Sequence, residues 1–260
     1  MKMTFQQYID NPMGKKNAVF SQRELFKNLY TEKFNTVFLR EAGKINYTLY
    51  QDTKKDNFYI HIKVPSETVK NFYYDVAIKF YTDDPVAHSS NTLDKYYVKF
   101  FSNDPAFVFT YLHVFLENDL FFEDLKPKAS KIAIKKEAKE RNPYGIPGYS
   151  KIIYFAFLFM KNKNLFYKPS YNGSNKYSVK ELLNHVEHTD VKIANRQELG
   201  EKQRKEEKRE KEKSVKRTEI KSGSDNIKST KIVGNIKNTK RIGNVKRTSS
   251  VRTTKRIKKK

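Results

Sequence analysis

The aromatic residues of this chain stop at Tyr177. All 19 Phe and 17 Tyr lie at or before that position, and no Phe, Tyr or Trp follows it up to Lys260. Because large apolar side chains supply much of the free energy of a packed core, only the part of the chain before this point can bury a sizeable core. The sequence therefore predicts a globular domain over residues 1–190 and a different kind of chain after it.

Alternation of apolar and polar residues predicts an antiparallel sheet in this domain. The segments 44–51 and 58–64 alternate with a period of two, and the segment 36–40 precedes them as a third strand. Short turns join the three segments, which is typical of a three-stranded meander. Two further strands are predicted at 73–81 and 95–101. A sheet of this kind combined with helices indicates the α+β class.

Capping signals predict the helices that pack on this sheet. Ser21 and Glu24 have the spacing of a capping box, and Pro105 follows Asp104 as the first residue of a buried helix. The other predicted helices follow Ser66, Ser150 and Ser178. We expect residues 1–20, the polar stretch 83–94 and the basic stretch 125–148 to be irregular.

After the domain, the chain loses its apolar faces. Residues 191–221 combine high helix propensity with opposite charges four positions apart, which predicts a charged, semi-helical linker. Residues 222–260 consist mainly of Ser, Thr, Asn, Gly and basic residues with scattered Ile and Val, which predicts a disordered basic arm. A near-repeat lies in this arm, where residues 230–237 return in similar form at 239–246. The repeat unit is too short and too polar to fold alone.

Charge predicts the class of partner. The net charge is +24, and the last 35 residues contain 13 Lys or Arg and no Asp or Glu. Such a segment is attracted to polyanions, and Lys and Arg neutralise phosphates in nucleic acid. The candidate nucleic-acid-binding residues in the arm are Lys231, Lys237, Lys240, Arg241, Lys246, Arg247, Arg252, Lys255, Arg256, Lys258, Lys259 and Lys260. A second basic patch, in the stretch 125–148, contributes Lys131, Lys135 and Lys136.

No catalytic motif is present, and we predict no catalytic residue, metal ligand or cofactor. A metal-dependent nuclease is the enzymatic alternative, because such a site needs two or three acidic residues around a metal ion. The acidic residues that it could use are Asp75, Asp83, Asp84, Asp104, Glu123 and Asp124. His185 and His188 have a spacing that could bind Zn²⁺ on a helix, but no further His or Cys lies near them, and a solvated helix face is the preferred interpretation.

Three phrases resemble poorly characterised virion-associated proteins of phages of low-GC bacteria. They are "NPMGKK" at 11–16, "FFSNDPAFVFTY" at 100–111 and "RNPYG" at 141–145. The resemblance implies a structural or morphogenesis protein located in the virion or the host cytoplasm. It carries over no functional residue, because none of the phrases is a functional signature.

The preferred hypothesis is therefore a non-enzymatic, phage-type structural protein that binds nucleic acid through its basic arm, with DNA favoured over RNA. An acidic capsid or scaffold protein is the other partner that the charge allows, and self-association is compatible with either. A peripheral protein on anionic lipid is a further alternative. The longest apolar runs are shorter than the roughly 20 residues that span a bilayer, so we expect no transmembrane segment.

Overall fold

The computed structural model describes residues 2–10, 45–131, 141–172 and 178–233, with side chains described as far as Val215. The helix predicted after Ser21 and the strand predicted at 36–40 lie outside these residues. The chain divides into two compact units, residues 1–204 and residues 205–260.

Four strands form one antiparallel sheet in the first unit, and each pairs with the next in chain order. The strands are β1 Asn46–Asp52, β2 Asn57–Pro65, β3 Tyr73–Tyr81 and β4 Tyr97–Ser102. All four were predicted, and the bounds of β3 agree with the prediction at both ends. The α+β fold is thereby confirmed, because helices accompany this antiparallel sheet.

Seven α-helices and two short 3₁₀ helices lie in the described residues. The α-helices are α1 Phe5–Asp10, α2 Pro85–Ser89, α3 Pro105–Thr110, α4 Leu112–Glu117, α5 Lys151–Asn162, α6 Val179–Asn184 and α7 Thr189–Val233. The 3₁₀ helices are Glu123–Lys128 and Lys168–Tyr171. The predicted caps are confirmed at Asp104 and Ser150, and Ser178 forms a full capping box with Glu181.

Three local predictions were wrong. The stretch 83–94, predicted to be irregular, contains α2, which Asp84 caps through the Val86 amide. The segment after Ser66 forms a turn between β2 and β3, because the Ser66 amide donates to the Phe72 carbonyl at 2.8 Å and Asn71 takes a positive φ of 59°. The first ten residues, predicted to be irregular, contain α1, whose Phe5 and Tyr8 are buried. A helix this short has little stability of its own, so burial of these aromatic side chains holds it in place.

The sheet is covered on both faces. One face consists of apolar side chains that are fully buried, namely Ile60, Ile62, Val76, Ile78 and Phe100. Phe5 of α1 packs on this face and links it to α5, with ring centroids 4.8 Å from Phe100 and 4.9 Å from Phe157. The helix α5 is therefore part of the main core.

The opposite face of the sheet is more polar and lies under residues 119–128. Lys99 Nζ pairs with Asp119 Oδ1 at 2.7 Å, and Lys79 Nζ pairs with Glu123 Oε1 at 3.1 Å. Aromatic contacts reinforce the cover, including Phe122 against Tyr59. The polar residues of β2, β3 and β4 on this face are thus half-buried or buried rather than fully solvated.

The outer edge of β4 is occupied by other parts of the chain. The Val98 amide donates to the Met3 carbonyl at 3.0 Å, and the Phe100 amide donates to the Leu120 carbonyl at 2.9 Å. The Phe122 amide then donates back to the Phe100 carbonyl at 2.9 Å. Backbone groups that would otherwise offer an open sheet edge are satisfied within the chain.

A buried carboxylate joins β4 to two helices. Asp104 Oδ1 accepts from the amides of Ala106 and Phe107 at the start of α3. Its Oδ2 accepts from the hydroxyls of Ser102 at 3.1 Å and Ser150 at 2.6 Å. Burial raises the pKa of the Asp104 carboxyl above its ordinary value, although these donors oppose the rise. Since Ser150 itself caps α5, one side chain fixes both helix starts.

Replacement of Asp104 by Ala should lower the free energy of unfolding by about 3 kcal/mol, because it removes a helix cap and leaves buried hydroxyls without their acceptor. Asp84→Ala is the matched control: Asp84 caps the short helix α2 through the Val86 amide alone, so about 1 kcal/mol is expected. Urea unfolding would measure both values. Equal losses for the two variants would contradict the role assigned to Asp104.

The first compact unit extends past the predicted boundary at residue 190. Arg196 Nη2 donates to Thr68 Oγ1 at 3.1 Å. The Gln203 side-chain amide both accepts from and donates to the backbone of Lys70, at 3.3 and 3.1 Å. The first turns of α7 therefore pack on the turn between β2 and β3, and the unit ends at Arg204.

A chain that ends after Asp190 should melt roughly 10 °C below a chain that ends after Arg204. The shorter chain loses Lys192, a partner of the buried Asp75, and removal of one partner of a buried ion pair costs about 3–5 kcal/mol. Each kcal/mol shifts the melting temperature by about 2–4 °C in a domain of this size. Equal melting temperatures in calorimetry would place the boundary at 190.

Candidate nucleic-acid interface

Two of the predicted binding residues lie in the part of the chain that the structure describes. Lys131 is exposed to solvent, and Lys231 lies in the last turn of α7. Lys135, Lys136 and the arm residues from Lys237 to Lys260 lie outside the described residues. The structure therefore gives no arrangement in which these residues come together.

The helix α7 is charged and solvated in the second unit. All described side chains from Lys205 to Val215 are exposed, which agrees with the lack of an apolar face in the sequence. The helix continues over residues 222–233, which were predicted to be disordered. Once a helix is nucleated, each added residue contributes a hydrogen bond at little further cost, and this favours extension beyond the charged stretch.

Most of the acidic residues of the nuclease alternative have structural partners. Asp84 and Asp104 cap helices, Asp83 pairs with Lys2, and Glu123 pairs with Lys79. Within residues 2–10, 45–131, 141–172 and 178–215, no three His, Asp or Glu form a group that could hold a metal ion.

A buried polar cluster surrounds Asp75 on β3. Its Oδ1 lies 2.9 Å from His61 Nε2, and its Oδ2 accepts from Asn103 Nδ2 at 2.7 Å. The Asp75 amide donates to Asn103 Oδ1 at 2.8 Å, and Lys192 Nζ lies 3.7 Å from Asp75 Oδ2. The cluster ties β2, β3, the end of β4 and the first turns of α7 to a single carboxylate.

The cluster keeps Asp75 ionised. Burial by itself would raise the pKa of this carboxyl, but the hydrogen bond and attraction of His61, the attraction of Lys192 and the hydrogen bond of Asn103 lower the pKa below its ordinary value. The side chains of Asp75 and His61 are 1% and 4% exposed. Because the pair is buried to this degree and its hydrogen bond joins β2 to β3, we interpret it as structural.

A polar cleft lies beside the Asp75 cluster, between the end of β2, the 3₁₀ helix Glu123–Lys128 and the start of α7. Its lining includes the cationic side chains of Lys63, Lys128 and Lys192 and the imidazoles of His185 and His188. Lys192 pairs with Glu187 Oε2 at 2.9 Å. No local pattern in the sequence indicates this cleft, because its residues come from four separate segments.

The sequence predicted that His185 and His188 lie on one helix, but in the structure they do not. The helix α6 ends at Asn184 and α7 begins at Thr189, so both histidines lie in the connection between the two helices. Both are exposed at the cleft. Because no helix holds the two histidines, the helical Zn²⁺ spacing considered from the sequence does not apply to them.

A second titratable cluster lies at the turn between β1 and β2. Asp56 Oδ2 accepts from His88 Nδ1 at 2.7 Å and from the Tyr96 hydroxyl, and Lys168 Nζ lies 3.5 Å away. Burial works against ionisation, but these partners lower the pKa of Asp56. Asp56 has a positive φ of 47°. The cluster fastens the turn to two distant segments.

Because of Asp75, the free energy of unfolding of the domain depends on pH. Because the folded pKa lies below the unfolded value of about 3.9, this stabilisation is present above about pH 4 and is lost as the pH falls through the folded pKa. The difference in unfolding free energy between the unmodified chain and Asp75→Asn should therefore shrink below about pH 4. Urea titrations at several pH values would measure it, and a difference that stays constant with pH would contradict the assignment.

Comparison of the chain with protein-family models, curated proteins and solved structures gives no match in any of the three. Among the described residues, no helix is both long enough and apolar enough to cross a membrane. The function must therefore be argued from the charges and contacts of this chain itself.

Proposed function

We propose that this protein is a non-enzymatic structural or morphogenesis protein that binds nucleic acid through its basic C-terminal segment, residues 222–260. The observation that carries the proposal is the charge of the last 35 residues, which contain 13 Lys or Arg and no acidic residue. Neutralisation of phosphates by such a segment releases counterions, which makes binding favourable and dependent on salt.

The described part of α7 supports this proposal. The side chains from Lys205 to Val215 are exposed and carry both signs of charge. This stretch is therefore accessible to a large partner. The acidic residues thin out along the chain until none follows Asp225. Attraction to a polyanion should therefore be strongest beyond Asp225.

The resemblance to virion-associated phage proteins favours DNA over RNA as the nucleic acid and a virion or the host cytoplasm as the location. An acidic capsid or scaffold protein could bind the same basic segment. The experiment below must therefore distinguish binding of such a protein from binding of nucleic acid. Anionic lipid would be attracted by charge alone, but the exposed side chains from Lys205 to Val215 form no apolar helix face that would insert beside the charges.

The experiment replaces five arm residues by Gln in the full chain: Lys237, Lys240, Arg241, Lys246 and Arg247. If each residue contacts one phosphate, the slope of log affinity against log salt on duplex DNA should become less steep by about 4.5. Fluorescence anisotropy of a labelled duplex would measure the slope. The matched control makes the same charge change in the acid-containing stretch, at Lys205, Lys208, Arg209, Lys211 and Lys213, and should change the slope much less.

A scrambled segment separates charge from sequence. Rearranging residues 231–246 at constant composition should leave the affinity for DNA nearly unchanged, because phosphate contacts do not depend on the order of the residues. A scramble as damaging as the five Gln substitutions would mean that the Ile and Val residues are recognised in order. The segment would then be a docking motif for a protein, and the proposal for nucleic acid would fail.

A further inference from the structure

The cleft beside Asp75 carries positive charge that the described part of the chain does not neutralise. Two carboxylates, Asp75 and Glu187, also line the cleft, and both are engaged, since Lys192 is paired with Glu187 and lies near Asp75. In contrast, the Lys63 and Lys128 side chains have no hydrogen-bond or ion-pair partner in the described structure. Both are only half-exposed, so the surrounding protein reduces their contact with water. Partly desolvated cations without partners attract an anion more strongly than fully solvated ones do.

The strand register explains why Lys63 lacks an acidic partner. Lys63 lies directly opposite Asp75 in the antiparallel pair of β2 and β3, and a salt bridge across the strands would be expected there. The oxygens of Asp75 are instead taken by His61, Asn103 and Lys192. The ammonium group of Lys63 therefore has no carboxylate partner among the described residues of the cleft.

The backbone holds Lys128 at the start of α7. The Thr189 hydroxyl donates to the Lys128 carbonyl at 2.9 Å, and Thr189 itself is fully buried. The start of a long helix adds a partial positive charge to the same end of the cleft. Asp190, the acidic residue of the first turn, does not line the cleft.

We infer that this cleft is a second phosphate-binding site, in which Lys63 and Lys128 contact the backbone of the nucleic acid that the C-terminal segment binds. The inference rests on the proposed function and adds a contact on the folded domain. His185 and His188, exposed at the rim, can donate ring N–H groups to phosphate oxygens.

The test is made in the full chain with Lys63→Gln and Lys128→Gln combined. Loss of two phosphate contacts should make the slope of log affinity against log salt on duplex DNA less steep by about 1.8. Lys54→Gln and Lys55→Gln combined are the matched control, because both lysines are exposed in the turn at the far end of β2. This control should keep the slope of the unmodified chain, and thermal melting should show that both double variants remain folded.

A chemical footprint reads the site directly. Acetylation of lysines, quantified by mass spectrometry, should slow at Lys63 and Lys128 when duplex DNA is added, and should be unchanged at Lys54 and Lys55. Polyglutamate serves as a carboxylate-bearing polyanion. If polyglutamate protects Lys63 and Lys128 as well as DNA does, the cleft recognises acidic chains in general and the inference of a phosphate site is overturned.

The two proposals fail in different ways. If the arm variant lowers the salt slope but the Lys63 and Lys128 variant does not, the cleft inference is overturned and the proposed function is supported. If the cleft variant lowers the slope and the arm variant does not, binding through the C-terminal segment is refuted and the cleft contact is supported. Additive loss in the combined variant, as expected for independent sites, supports both.

Discussion

The first compact unit depends on the buried polar residues that follow β4. Asn103 holds the backbone and carboxylate of Asp75 on β3, while Asp104 accepts hydroxyl and amide hydrogens from the starts of α3 and α5. These two adjacent side chains connect the sheet to the helices on one side and to the Asp75 cluster on the other. Buried polar groups are costly when unpaired. Alternative packings that break these hydrogen bonds are therefore disfavoured.

The strong basic charge of the protein is concentrated away from this core. Among the described acidic residues of the first unit, most are used as caps or ion-pair partners, as seen for Asp84, Asp104 and Glu123. The Lys and Arg residues beyond Asp225 have no acidic neighbours in sequence. The arrangement separates stability, which depends on buried pairs, from attraction to a polyanion, which depends on unpaired surface charge. The proposed cleft contact would link the two, since Lys63 and Lys128 lie beside the Asp75 cluster.

Local signals in the sequence predicted much of the fold. The alternation in β3 and the caps at Asp104, Ser150 and Ser178 act over a few residues and were read correctly. The helix α1 was missed because its six residues are held by burial of Phe5 and Tyr8 in the core. The polar face of β2 was also recognised from its period. Whether that face would meet water, however, depended on residues 119–128, which lie far away in the chain.

The sequence by itself determined the α+β class, the end of the aromatic residues at Tyr177 and the separation of a basic C-terminal segment, because composition and periodicity are properties of the chain. Only the tertiary structure decided that the first unit reaches Arg204 and that Lys63 and Lys128 line one cleft. The physical reason is that ion-pair partners are chosen by how distant segments meet. Asp75 could have neutralised Lys63, its neighbour across the sheet, but the approach of α7 and Asn103 gave that carboxylate other partners.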